Sequence, residues 1–133
     1  MNPAEDGPKR EVRGELVKVL AHRREDRGMV LEEFGSRCVR TYEIHELVTT
    51  DQNDTTTGAV VDRVGFLGFV EIARGGVIDR GDRVTVDGRR IGTVLGYDGC
   101  HFPNHYNILI AVDRTVTGVD LALQPAMEVR FGY

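Results

Sequence analysis

"GGVIDRGDRVTVDGRRIGTVLGY", residues 75–97, decides how this chain of 133 residues folds. Asp87-Gly88 is a pair that accepts positive φ at both positions, which a two-residue hairpin turn requires. Val84 and Val86 lie on one face of the strand leading into that turn, and Asp79 to Gly81 form another turn upstream. Period-two apolar positions between close turns mark paired antiparallel strands.

The same rhythm extends in both directions. Downstream, "YNILIAVD" sets Tyr106, Ile108, Ile110 and Val112 against Asn107, Leu109, Ala111 and Asp113, and "VDLAL" and "MEVRF" continue the alternation. Upstream, "AVVDRVGFLGFVEIA" reads as one long strand, in which Gly65 and Gly68 allow the bend or bulge that closes a small barrel. "TTDQNDTTTG", residues 49–58, reads as a loop. "GMVLEEF" and "CVRTYEIHELV" read as a hairpin, and "ELVKVL" as a first strand. The expected fold is all-β, a single small antiparallel β-barrel or sandwich of about eight or nine strands. Residues 1–13, with Pro3, Gly7 and Pro8 among charges, read as a flexible leader, and residues 14–133 as the one domain.

Composition narrows the function classes. The chain is 41% hydrophobic and 29% charged, ordinary values for a folded soluble protein, and long enough to bury a core without a staple. No apolar run approaches a membrane span and no signal-type segment opens the sequence, so neither a membrane nor export is expected and the chain reads as cytoplasmic. On that reading Cys38 and Cys100 are reduced thiols. A net charge of -4 gives no field for phosphate backbones, so nucleic acid is not an expected partner. Fifteen arginines against two lysines suggest a GC-rich bacterial source.

From Gly65 to Phe131 the order "GGVIDRGDRVTV", "IGTVLGYDG", "NHYNILIAVD", "TGVDLAL" and "MEVRF" resembles the small β-barrel of the sorbitol/glucitol-specific IIA components of the sugar phosphotransferase system. That resemblance implies a barrel and, in the family, a phosphoryl-accepting histidine in the strand before the "GxIxxGD" turn. Here the strand reads "GFLGFVEIARGG", with Phe69, Val70 and Glu71 in that region. The resemblance thus implies a related barrel put to a different use. A phosphoryl carrier would have to use His45, one strand earlier.

The chemistry-bearing residues gather in "GYDGCHFPNHYN", residues 96–107, which holds one of two cysteines and two of four histidines. Cys100, His101 and His105 offer one soft and two borderline ligands to a divalent metal, although Pro103 argues against their presentation from a helix. A thiol mechanism would need Cys100 at lowered pKa with His105 or His45 as base. Without covalent chemistry, His101, Asn104, His105, Tyr106 and Asn107 could line a barrel mouth for a small polar molecule, with Arg40, Tyr42, Glu43 and His45 opposite. The plainest alternative is a turn shaped by Asp98, Gly99, Pro103 and Asn104. On the strand "CVRTYEIHE" Cys38, Arg40, Tyr42, Ile44 and Glu46 share one face, and Val39, Thr41, Glu43, His45 and Leu47 the other.

Three readings remain open at this point, the phosphoryl carrier among them. In an enzyme, His105 and His101 serve as acid/base groups or metal ligands, Cys100 as ligand or nucleophile, and His45 with Glu43 as support. In a non-catalytic module, the chain binds a ligand as an accessory protein or forms homo-oligomers through strand edges such as "MEVRF".

Overall fold

The computed structural model describes residues 6–133. Among them there is no helix, and twelve strands occur: β1 Val12–Val19, β2 Arg23–Arg24, β3 Met29–Val30, β4 Ser36–Val39, β5 Ile44–Thr50, β6 Val60–Val61, β7 Val64–Arg74, β8 Gly76–Asp79, β9 Arg83–Val86, β10 Arg89–Asp98, β11 Asn107–Ala111 and β12 Glu128–Gly132. The protein is all-β, as its patterning implies. Seven strands pair in the order β1-β12-β9-β10-β11-β5-β7, and β7 returns to β1, so the ring of ladders closes into a barrel. The two-residue turn is as expected: β9 and β10 meet at Asp87 and Gly88, with φ of 52° and 77°.

Closure explains why some strands are apolar on both faces. Leu47, Ile108, Ile110, Val94 and Tyr97 point into the barrel core, while Val48, Leu109 and Leu95 form a second core outside the wall. Met29, Leu31 and Val61 cover that outer core from β3, β6 and their flanks. A buried Leu or Met side chain contributes about 1.5–3 kcal/mol, so these few residues suffice to hold the segment down. Glu32 N–H donates to the Tyr97 carbonyl at 2.8 Å and fixes its register.

Several expectations are corrected. The run "CVRTYEIHELV" is not one strand, because a turn at residues 40–43 separates β4 from β5. Tyr42 has φ 79°, Glu43 N–H donates to the Arg40 carbonyl at 3.2 Å, and the Glu43 carboxylate accepts from the Arg40 amide at 3.1 Å. The two expected faces therefore do not continue across it. The proposed hairpin is absent as well: β3 pairs with β6, and β4 with β8. "VDLAL" is turn rather than strand, since Thr117 and Asp120 exchange side-chain and backbone hydrogen bonds at 3.0 Å. One ladder, β11 with β5, is parallel.

The ordered chain also starts before Gly14. Val12 opens β1, and Lys9 Nζ bonds Asp79 at 2.8 Å and Asp82 at 2.5 Å. Residues 1–5 of the expected leader lie outside the described residues. Finally, "MEVRF" contributes β12, which is paired on both sides, by β1 and β9, and offers no free edge for oligomerisation.

Candidate functional site

The parallel ladder builds the site. Asn107 on β11 lies opposite Glu46 on β5, and Glu46 N–H donates to the Tyr106 carbonyl at 3.0 Å. Leu47 and Ile108 face the barrel core, so Glu46 and Asn107 face outward with Val48 and Leu109. Loop residues 99–106 then fold back over this face. His105 N–H donates to the His101 carbonyl at 3.3 Å and Phe102 N–H to Gly99 at 2.9 Å, which stacks the His101 and His105 rings with centroids 5.0 Å apart. A turn therefore achieves the juxtaposition that Pro103 denies to a helix.

Glu46, His101 and His105 bring one ligand atom each within 4.8 Å of one another. His105 Nε2 is 3.8 Å from Glu46 Oε1, and Glu46 is only 7% exposed. Bonds of about 2.0–2.2 Å to a shared ion set ligand atoms roughly 3–3.5 Å apart, so small side-chain rotations close the group.

Protonation favours that use. His105 Nδ1 lies 2.6 Å from Asn104 Oδ1. An amide oxygen only accepts, so Nδ1 carries the proton and Nε2 keeps a lone pair. That Nε2 is buried without a hydrogen-bond partner, and among the described residues the one other such side-chain atom is Asn107 Oδ1, also an acceptor. Burial first, and then repulsion from His101 and His45, lowers the His105 pKa, which keeps the ring neutral. Burial raises the Glu46 pKa, opposed by the Arg27 charge.

The other expected site residues fall into separate positions. His45 Nδ1 accepts from the Tyr106 amide at 3.1 Å, so its Nε2–H donates to Glu43 at 3.0 Å and both nitrogens are engaged. Burial opposes ionisation of Glu43, but the bonds from His45 and the Arg40 amide outweigh it and lower its pKa. His45, Glu43, Asn104, His105 and Tyr106 line a cleft of about 200 Å³, joined by Arg37, whose guanidinium sits 3.5 Å from the Tyr106 ring centroid. Arg40 and Tyr42 lie in the exposed turn, Tyr42 at 81% exposure.

Cys100 stands beside the three-residue group rather than in it. Its pKa is raised by burial and then by the hydrogen bond to Asp98, with Arg27 opposing, which is the reverse of an activated thiolate. Two neighbours escaped the reading of the sequence. Glu46 was placed on a strand face but not assigned to the site. Arg27, whose Nη2 is 3.1 Å from both the Cys100 sulfur and His101 Nε2, comes from a turn-rich segment with no pattern of its own.

Asp98 holds this arrangement together. Its carboxylate accepts from the Val30 amide at 2.8 Å, the Cys100 amide at 3.1 Å and Asn107 Nδ2 at 3.0 Å. Burial alone would raise its pKa, but these bonds and that of the Cys100 side chain outweigh it and lower the value. The stability it contributes is therefore full above the ordinary value of 3.8 and is lost as pH falls through the lowered one. Asp98→Ala is expected to cost about 2–4 kcal/mol at pH 7, from orphaned buried donors, and less below pH 3. Urea denaturation of both proteins at the two pH values checks this, and a pH-independent difference would refute it.

Comparison with known families matches residues 6–132 to a family of unknown function (DUF6917). The chain belongs to that family. No curated protein and no solved structure matches it. Among the described residues no helix is long and apolar enough to cross a membrane.

Proposed function

We propose that this protein binds a divalent transition-metal ion through Glu46, His101 and His105, and uses it to hold or activate a small polar molecule in the adjoining cleft. One observation carries the reading: His105 presents a buried Nε2 lone pair without a partner, toward Glu46, while Asn104 fixes the opposite ring nitrogen. Ligating histidines are oriented in this way by an acceptor on the far nitrogen. Two imidazoles and one carboxylate suit zinc or non-haem iron(II), and three protein ligands leave positions open for water or substrate. A metal there would polarise a bound oxygen or lower the pKa of a bound water.

His105 borders the cleft of about 200 Å³, below the usual size of drug-like pockets, which supports a small ligand. His45 and Glu43 would then shape the cleft wall. A phosphoryl carrier at His45 finds less support, because both its nitrogens are already bonded.

The test is elemental analysis of protein purified without a histidine tag. Near-stoichiometric zinc, iron or nickel is expected, disappearing in His105→Ala while the metal-free melting temperature stays within a few degrees. No metal after reconstitution, or undiminished metal in the variant, would sink the proposal.

A further inference from the structure

The arginine beside the metal group lacks an anionic partner. Four arginines are half-buried: Arg13, Arg27, Arg37 and Arg80. Arg13 pairs with Glu11 at 3.2 Å, and Arg80 donates to the Leu95 carbonyl at 2.9 Å. Arg27 instead directs Nη2 at a sulfur and an imidazole, each at 3.1 Å, and among the described residues its guanidinium meets no carboxylate within salt-bridge distance. Because a guanidinium only donates, His101 Nε2 accepts, so Arg27 holds a lone pair that a metal would claim. The Arg27 charge also acts on Glu46. In the metal-free protein Arg27 therefore stands where a cation is wanted.

A divalent ion would add two charges to a group whose one ligand carboxylate is Glu46, with Arg27 already alongside. Partly buried excess positive charge is costly unless an anion joins it. Asp98 offsets one of these charges, but its oxygens are held by the Val30 and Cys100 amides and by Asn107, so it does not turn to the ion or to Arg27 and positive charge remains in excess. The planar fork of an arginine released from His101 matches carboxylate or phosphate oxygens in a bidentate manner.

We propose that Arg27 is the anion receptor of this site: metal entry frees it from His101, and metal and guanidinium together bind the oxyanion of a small carboxylate or phosphate ligand. This rests on the metal reading above and names the substrate class, a small oxyanion. Metal and anion then bind cooperatively, each tightening the other by the same factor.

The experiment titrates the full chain with Co²⁺ in chloride, in formate and in inorganic phosphate at matched ionic strength, for wild type, Arg27→Gln and Arg27→Lys. Wild type is expected to bind Co²⁺ about fivefold or more tightly in one of the oxyanions than in chloride. Formate and phosphate distinguish a carboxylate from a phosphate ligand. Arg27→Gln is expected to bind Co²⁺ more tightly than wild type in chloride and to lose the anion effect, while Arg27→Lys retains part of it. Melting curves verify that the variants fold, and Arg27→Lys carries the test if Arg27→Gln does not. If the variants bind Co²⁺ with the full anion effect of wild type, or wild type has none, the Arg27 proposal falls and the metal site stands. If no protein takes up Co²⁺, both fall.

Discussion

Glu46→Gln is expected to abolish metal uptake and yet make the metal-free protein more stable at pH 7–8. Burial raises the Glu46 pKa above 4.5, so the folded chain holds this proton more tightly than the unfolded one. The stability associated with that proton is full below pH 4.5 and is lost as pH rises through the raised value. At neutral pH the carboxylate is thus a buried charge whose nearest imidazole, 3.8 Å away, is neutral. Glutamine keeps the shape and removes the charge. A gain of about 1 kcal/mol would raise the melting temperature of a chain this size by roughly 3–5 °C. Metal affinity is expected to fall by more than about a hundredfold, beyond the loss typical of an outer-shell partner. Saturating metal, by contrast, is expected to stabilise wild type alone, by about 2.7 kcal/mol at one hundred times Kd. Paired melting curves with and without zinc check each arm. A metal-free variant that melts below wild type, or one that still responds to zinc, would count against the site.

The largest loss of stability is expected from Gly68→Ala. Gly68 lies on β7 with φ 156°, which side-chain-bearing residues rarely adopt, and a Cβ there would collide with the Lys18 carbonyl oxygen of β1. It lies at the seam where β7 pairs with β1 on one side and β5 on the other, and the register with β5 slips there between Leu47 and Val48. Backbone strain and overpacking together cost about 2–6 kcal/mol, a large part of the stability of an ordinary domain. Gly81→Ala provides the comparison. Gly81 has φ 91°, but nothing lies within 4 Å of its would-be Cβ, so it bears the strain alone and should cost about 1 kcal/mol. Chemical denaturation midpoints that differ little between the two variants would refute the account of the seam.

What could be read in advance followed what is local. The Asp87-Gly88 turn, the alternation of "YNILIAVD" and the glycines of β7 each express a constraint contained within a few residues. The gathering of Cys100, His101 and His105 in one loop was legible for the same reason. The parallel pairing of β11 with β5 was not, because it joins residues about sixty positions apart and leaves no turn to announce it. That pairing brings Glu46 to the histidines and leaves His45 on the other side of the strand with Glu43. Arg27 was hidden similarly, since basic residues in polar segments are mostly solvated. The break at Tyr42 was obscured by β-branched and aromatic neighbours that suit a strand, while the deciding hydrogen bonds come from Glu43.

Ring closure also sets an order of events as the chain is made. β12 is the last strand of the ring and fills the gap between β1 and β9. Until residues 128–132 leave the ribosome, two unpaired ladders face each other across an open slot, with the apolar side chains of Val12, Leu16, Val84 and Val86 accessible through it. Such edges recruit other strands, so the nascent barrel is most prone to aggregate just before β12 emerges. Because β12 pairs with β1, more than one hundred positions earlier, that closure should also form slowly once β12 emerges.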